Sequence, residues 1–285
     1  MNNKYPIFIP TKSRFKTPLT INMFKKQRVD FTIVIEEQEY DDYAKIVDKS
    51  NILVVPHKNK GVTQTRNWLW NYAESKGYEK YWTFDDNIGR VYRRNHNRKI
   101  QVADGTYLKV IEDFADRYEN LYLIGMNYSG FAPTRDNCPI FYLNTRVYSN
   151  MLLTTNAKFS NGEKIRWKLF YNEDTDLCLR LLKDGLPTLQ LNAFLIDKTA
   201  TMVLKGGNTE YYQSEECKGR YKFVEELVNA HSDVVTFTEK FNRTHHQVNY
   251  KPFRKNKLVR KQGLVIPNRI NEYGMELVDK ISLKK

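Results

Sequence analysis

Tyr81-Trp82-Thr83-Phe84-Asp85-Asp86-Asn87 is the stretch on which the reading of this chain turns. Aromatic and β-branched residues run into two adjacent carboxylates and an amide, followed by Ile88-Gly89. That is the pattern of a buried strand ending in acid at the mouth of a sheet. Carboxylates so placed need a cation, and a divalent metal carrying a nucleotide diphosphate is one candidate. An Asp-Asn turn with solvated side chains is the other reading of the same residues.

Upstream the chain spells a β-α-β-α-β series. Apolar runs predict strands over residues 5–9, 31–35 and 52–56. Thr17-Pro18 predicts a helix start, Thr17 as N-cap and Pro18 in the first helical position, with the helix running to about Gln27. A second helix is expected from about Tyr40 to Val47. A third opens at Gly61 and runs to about Lys76, where Gly77 stops it. Short strands joined by helical crossovers imply a parallel sheet.

Several polar residues fall at the ends of these elements. The loop Pro10-Thr11-Lys12-Ser13-Arg14 offers donors to a phosphate or a base, without the glycines of a P-loop or a dinucleotide fingerprint. Glu36, at the end of the second strand, stands where an acid often holds a ribose hydroxyl. Arg66 and Asn67 occupy the first turns of the third helix. A cation there opposes the helix dipole, so Arg66 must pair with an acid or meet an anion.

Downstream, a helix is expected over 106–118, a strand over 121–126, a loop over 127–139 that could wall an acceptor site, and a strand over 140–143. The segment from Phe170 to Gly185 is the second informative stretch. Asn172 is placed as N-cap, Glu173 and Asp174 favour the positive end of the helix, and Gly185 terminates it. Capping alone would account for Glu173 and Asp174, yet Glu173, Asp174 and Asp176 put three acids in four positions, more than a cap needs. Asp176 and Arg180 can pair across one turn. A strand over 189–196, a glycine-bearing loop over 205–208 and a helix over 220–230 follow.

The chain has 285 residues, 41% of them hydrophobic, enough for one large α/β domain or two smaller ones. No apolar run is long enough to cross a bilayer, and the polar N-terminus does not read as a signal peptide. Cys138, Cys178 and Cys217 lack metal-type spacing, so a reducing cytoplasm is expected. The net charge of +13 is uneven. From Glu239 to Lys285 twelve Lys/Arg stand against four Asp/Glu, and Arg90, Arg93, Arg94, Arg98 and Lys99 cluster with no acid among them. Basic clusters with interleaved aromatics suit a phosphate backbone; a solvated Lys/Arg surface is the plainer alternative.

Taken together, Pro10-Thr11-Lys12-Ser13-Arg14, Glu36, Arg66-Asn67, Asp85-Asp86-Asn87 and Asn172-Glu173-Asp174-Thr175-Asp176 resemble a GT-A glycosyltransferase. More narrowly, the chain resembles the TET-associated glycosyltransferases of phages and some eukaryotes, over roughly residues 1 to 210. The resemblance implies a GT-A-type α/β fold, a mostly parallel central sheet flanked by helices. A Rossmann-like nucleotide-sugar half would cover about 1–100, an acceptor half about 101–235, and a basic extension 236–285. It implies sugar transfer from a nucleotide sugar, UDP-glucose foremost, to the hydroxyl of a 5-hydroxymethylpyrimidine in DNA. Pro10, Thr11, Lys12, Arg14, Glu36, Arg66, Asn67 and Asp85 would bind the donor, and Asp86 and Asn87 a manganese or magnesium ion. Asp174 would be the catalytic base, with Glu173 and Asp176 as alternates, and Arg90, Arg93, Arg94, Arg98 and Lys99 would meet DNA. Here Asp-Asp-Asn replaces the usual Asp-X-Asp, and His231, His245 and His246 are candidates for a completing ligand without diagnostic context. A GT-A enzyme with a carbohydrate or protein acceptor, or a non-catalytic nucleic-acid-binding module, are the alternative expectations.

Overall fold

The structure, a computed structural model, describes residues 3–95, 97–135, 138–199, 221–240 and 243–263. The first half follows the expected alternation. Strands β1 (Ile7–Pro10), β2 (Thr32–Glu36), β3 (Ile52–Val55) and β4 (Lys80–Phe84) alternate with helices α1 (Leu19–Gln27), α2 (Tyr40–Tyr43) and α3 (Val62–Ser75). They pair in parallel in the order β3-β2-β1-β4. Side chains alternate strictly across them. Ile7, Ile9, Ile33, Ile35, Trp82 and Phe84 face a core closed by Ile21 and Phe24 of α1, while Phe8, Val34 and Tyr81 face Leu69, Trp70 and Ala73 of α3. Each of these fully buried large side chains contributes about 1.5–3 kcal/mol relative to exposure.

Two details differ from the sequence expectation. Pro18 is itself the residue before α1 and no side chain caps it; Leu19 starts the helix, and Thr20 donates through Oγ1 to the Asp85 carbonyl at 2.6 Å. Helix α2 is one turn long, because the chain after Tyr43 folds into turns instead of continuing to Val47.

The second half is more mixed. After β4 come a hairpin of β5 (Ile88–Asn95) and β6 (Arg98–Gln101), helix α4 (Thr106–Asp116), then β7 (Leu123–Tyr128), β8 (Phe141–Leu143) and β9 (Asn150–Thr154). Helix α5 (Glu173–Lys183) and the long β10 (Thr188–Lys198) complete one ten-stranded sheet, ordered β3-β2-β1-β4-β9-β7-β10-β5-β6. Strands β7 and β10 pair in parallel and share the direction of β1 to β4, so the sheet is mostly parallel. Strand β9 is wedged antiparallel between β4 and β7. It fits because Gly125 has no side chain: a Cβ there would fall 2.1 Å from the Asn150 carbonyl oxygen. Strand β10 carries β8 along Leu189–Leu191 and β5 along Phe194–Lys198. Helices α1 and α4 cover one face and α3 and α5 the other, the α/β architecture expected of a GT-A-type fold.

Beyond β10, helix α6 (Tyr221–Ala230) leads to a separate hairpin of β11 (Val235–Lys240) and β12 (Arg243–Val248). Leu227, Val234, Val235 and Phe253 pack against Leu179 and Leu182 of α5. Asn144 donates to the carbonyls of Phe253 and Asn256, at 2.8 and 2.9 Å. The glycine-bearing loop at 205–208, Cys217 and the chain after residue 263 lie outside the described residues.

Candidate active site

The C-terminal ends of β1, β2 and β4 open into a cavity of about 440 Å³. The first turns of α3 and α5 close one side, Arg146, Tyr148 and Ser149 ahead of β9 another, and Thr244, His245 and His246 of β12 a third. Strands that share one direction deliver their following loops to one rim, which is why distant sequence positions converge here.

Asp85 and Asp86 leave β4 into this cavity, as their sequence predicts. Asp85 Oδ1 accepts from Arg66 Nη2 at 2.9 Å, and its Oδ2 from Lys198 Nζ at 2.6 Å. Burial works against this charge, but Lys198 and Arg66 outweigh it and hold the carboxyl down to about 2. Asp86 Oδ1 accepts from Arg14 Nη1 at 2.7 Å and its Oδ2 from the Thr11 hydroxyl at 2.8 Å. Thr11 in turn lies 2.7 Å from the Tyr43 hydroxyl. For Asp86 burial prevails over Arg14 and pushes the carboxyl above its ordinary range. Glu36 lines the same cavity, accepting from the Asn59 amide at 2.9 Å and pairing with Lys12 at 3.3 Å.

Arg66 resolves the question its position poses. Gly61, at φ +82°, forms the N-cap of α3, and one turn later the Arg66 guanidinium reaches both Asp85 and, at 2.5 Å, Glu173 Oε1 of α5. It also lies 4.8 Å from the Trp167 ring centroid. Two carboxylates thus offset the helix dipole that opposes this cation. Asn67, one position on, faces elsewhere: its amide exchanges hydrogen bonds with the Trp167 backbone at 2.9 Å in both directions.

At α5 the three acids separate. Glu173 and Asp174 line the cavity. Burial raises the Glu173 carboxyl, with Arg66 pulling against it and Asp174 adding to it. Asp174 Oδ1 accepts from the Thr175 amide at 2.6 Å. Asp176 points away, almost fully buried, and accepts from Arg180 Nε at 2.8 Å and meets His231 Nε2 at 3.0 Å. It ties α5 to the end of α6. The Asn172 side chain does not cap α5 either. Its backbone is left-handed (φ +53°) and its amide donates to the Phe223 carbonyl on α6.

The basic cluster divides in the same way. Arg90, Arg93 and Arg98 are exposed along the β5–β6 hairpin. Lys99 Nζ donates to the Ser129 carbonyl, and Arg94 donates to the carbonyls of Arg135 and Cys138. Those two side chains pin the loop after β7 to the hairpin. The hairpin begins at the cavity and runs back along β10, so Asn95 at the end of β5 lies about 23 Å from its root.

Sequence reasoning missed Lys198, Arg146, Tyr148, Ser149 and Tyr128, which line the cavity. Burial works against the charge on Arg146, but Asp174 together with Tyr148, Tyr250 and Tyr128 outweighs it and holds the guanidinium still more firmly protonated. Arg146 also lies 4.1 Å from the Tyr148 ring centroid. Lys198 ends a strand that was legible, but its basic character alone said nothing of where it points.

The donor atoms at Asp86 and Asn87 do not make a metal site. All four oxygens of Asp85 and Asp86 are engaged by Arg14, Thr11, Arg66 and Lys198. Asn87 Nδ2 donates to the Thr199 carbonyl, which leaves one buried amide oxygen unpartnered among the described residues. No group of three His, Cys, Asp or Glu side chains comes together among the described residues either.

A family model described as TET-Associated Glycosyltransferase matches residues 5–207. The chain belongs to the TET-associated glycosyltransferase family. The matched span holds the whole of the Asp85–Lys198–Arg66–Glu173 network, and the TET-associated glycosyltransferase reading makes the protein a glycosyltransferase. Among solved structures, the chain is similar to A197 from STIV, at 13% identity and TM-score 0.40, covering 69% of this chain and 85% of that one. It is also similar to a protein of Desulfovibrio desulfuricans G20 assigned to the nucleotide-diphospho-sugar transferases. That likeness is at 9% identity and TM-score 0.41, over 81% and 98% of the two chains. No curated protein matches. Among the described residues, no helix is long and apolar enough to cross a membrane.

Proposed function

We propose that the protein transfers a sugar from a nucleotide sugar, with UDP-glucose as first choice of donor, to the hydroxyl of a 5-hydroxymethylpyrimidine in DNA, in a cytoplasm. One observation carries the acceptor. Phe131 stands 66% exposed at the end of β7, its ring stacked 5.5 Å from that of Tyr128, a cavity residue. Its loop is pinned by Lys99 and Arg94 to the hairpin that bears the outward Arg90, Arg93 and Arg98. An exposed ring beside a basic surface suits a base drawn out of its stack while phosphates are held nearby.

The displacement follows from residues around the cavity. The acceptor oxygen attacks the anomeric carbon as the bond to the diphosphate breaks, and the diphosphate leaves with the bonding pair. A single displacement inverts the anomeric centre. The acceptor proton passes to Asp174, whose Oδ2 has no hydrogen bond among the described residues. Glu173 is the second reading, favoured by its raised carboxyl, since a base works best with its pKa near the operating pH. Pro10, Thr11, Lys12, Arg14 and Glu36 line the donor end. Manganese or magnesium, implied by the resemblance, does not find its donor set in Asp86 and Asn87.

Mass spectrometry of hydroxymethylcytosine and hydroxymethyluracil duplexes, incubated with a panel of nucleotide sugars, tests the proposal. A hexose or pentose mass added to the base supports it. Nucleotide-sugar turnover without DNA glycosylation would point to a carbohydrate or protein acceptor. DNA binding without nucleotide-sugar binding would make the chain a binding module.

A further inference from the structure

The acid pair at the end of β4 carries its own cations. Resting on the reading of a nucleotide sugar as donor, we propose that Lys198 is the resident counter-ion of this site and that a nucleoside diphosphate binds without a divalent metal.

The placement of Lys198 is specific. Pairing between β10 and β5 shifts register between Asp197 and Lys198, setting Lys198 opposite Ile88, three residues after Asp85. Bulges of this kind recur beside active sites, where they re-aim a side chain. The ammonium meets Asp85 Oδ2 at 2.6 Å and Ser149 Oγ at 2.8 Å, with Ser149 Oγ 2.6 Å from the Tyr128 hydroxyl. Ser149 holds this position with a left-handed backbone, φ +67°, a conformation uncommon outside glycine. The Lys198 side chain is only 13% exposed.

Charge and donor count point the same way. Asp85, Asp86 and Glu173 face Arg14, Arg66 and Lys198, so the cluster is balanced before any ligand arrives. A divalent ion at Asp85 would have to displace Lys198 or Arg66. Either displaced cation would stay tethered beside the incoming charge. An incoming diphosphate needs no displacement. A lysine ammonium has three donors, and Asp85 and Ser149 take two. The Tyr128 hydroxyl lies beside the same ammonium, and a phosphate oxygen entering the cavity that Lys198 lines would compete with these neutral hydroxyls and leave the ion pair to Asp85 in place.

Calorimetric titration of UDP into the full chain, in excess EDTA and in Mn²⁺, is the test, with electron paramagnetic resonance counting bound Mn²⁺. The wild type should bind UDP equally in both media and show no bound Mn²⁺ signal. Lys198→Met keeps the aliphatic stem and frees Asp85. In EDTA it should bind UDP at least about tenfold more weakly, as expected for one charge-assisted hydrogen bond removed, and Mn²⁺ should both bind and restore affinity. Lys198→Arg should keep metal-free binding. Wild-type binding of UDP that requires Mn²⁺ overturns the inference and leaves the donor reading standing, as does Lys198→Met binding UDP in EDTA like the wild type. If Lys198→Met melts early, the two wild-type arms decide alone. No binding of UDP, GDP, CDP or ADP in either medium removes the donor reading and this inference with it.

Discussion

The end of β4 and the start of α5 both present closely spaced acids, and the structure treats them in opposite ways. At β4 each carboxylate oxygen is taken by a cation or hydroxyl. At α5 Glu173 and Asp174 both line the cavity and Asp174 keeps an oxygen without a hydrogen-bond partner among the described residues, while Asp176 is buried against Arg180 and His231. An acid held between two fixed cations, as Asp85 is, can shape a field but has little capacity to accept a proton. An acid with a spare oxygen at a cavity wall can do so. The difference is the ground for proposing charge balance at one cluster and proton transfer at the other.

The largest effect should come from removing that spare capacity. Asp174→Asn should lower turnover by about 100- to 10,000-fold while leaving UDP binding intact, measured by steady-state kinetics and calorimetry. If Glu173→Gln shows that drop and Asp174→Asn slows turnover by less than about tenfold, the base is Glu173.

Arg66 joins the two clusters, so Arg66→Met should break both. It leaves Asp85 and Glu173 buried without their shared partner, which costs about 3–5 kcal/mol for a buried pair deprived of one member. Urea unfolding would read it. A change within about 0.5 kcal/mol, typical of surface positions, would mean the two clusters are independent.

Asp176 sharpens the comparison from the other side. Asp176→Asn should cost about 1–3 kcal/mol by weakening its bonds to Arg180 and His231, with turnover per folded molecule unchanged. Slower turnover at full stability would return it to the catalytic group.

The closed cluster also has an acid signature. Asp85, held down to about 2, contributes stability that is complete above its unfolded value of about 3.9 and disappears as pH falls through its folded value. The stability advantage of the wild type over Asp85→Asn should therefore shrink between those limits, in unfolding curves taken across that range. The smallest change in stability belongs to the exposed charges. Arg93→Ala with Arg98→Ala should stay within about 0.5 kcal/mol, yet lower the salt slope of DNA binding by about 0.9 for each phosphate that is no longer neutralised. An unchanged slope would leave the hairpin a solvated surface.

The parallel half of the sheet is legible in the sequence because each of its strands is a short apolar run closed by Pro or by acidic residues. Asp85, Asp86, Thr11, Arg14 and Glu36 are legible with it, since they sit where those runs end. Strand β9 is not: Asn150-Met151-Leu152-Leu153 is too short to distinguish strand from helix, and its position between β4 and β7 depends on Gly125, far away in sequence. Arg146, Tyr148 and Ser149 are hidden with it. The spacing of Glu173, Asp174 and Asp176 marks the helix start but not which acid turns inward, because that is set by His231 on another element. Lys198 is the same kind of case, aimed by a bulge that no local pattern announces.

The family match ends at residue 207, but the molecule does not close there. Leu179 and Leu182, inside the matched span, are covered by Leu227, Val234, Val235 and Phe253, all outside it. His245 and His246, also outside, form one wall of the cavity. The unit that can be recognised is therefore shorter than the unit that packs together. A shortened chain ending at the match would keep every acid of both clusters and still expose the apolar back of the helix that presents Glu173 and Asp174. The residues that make the family visible have their apolar back covered by residues that do not.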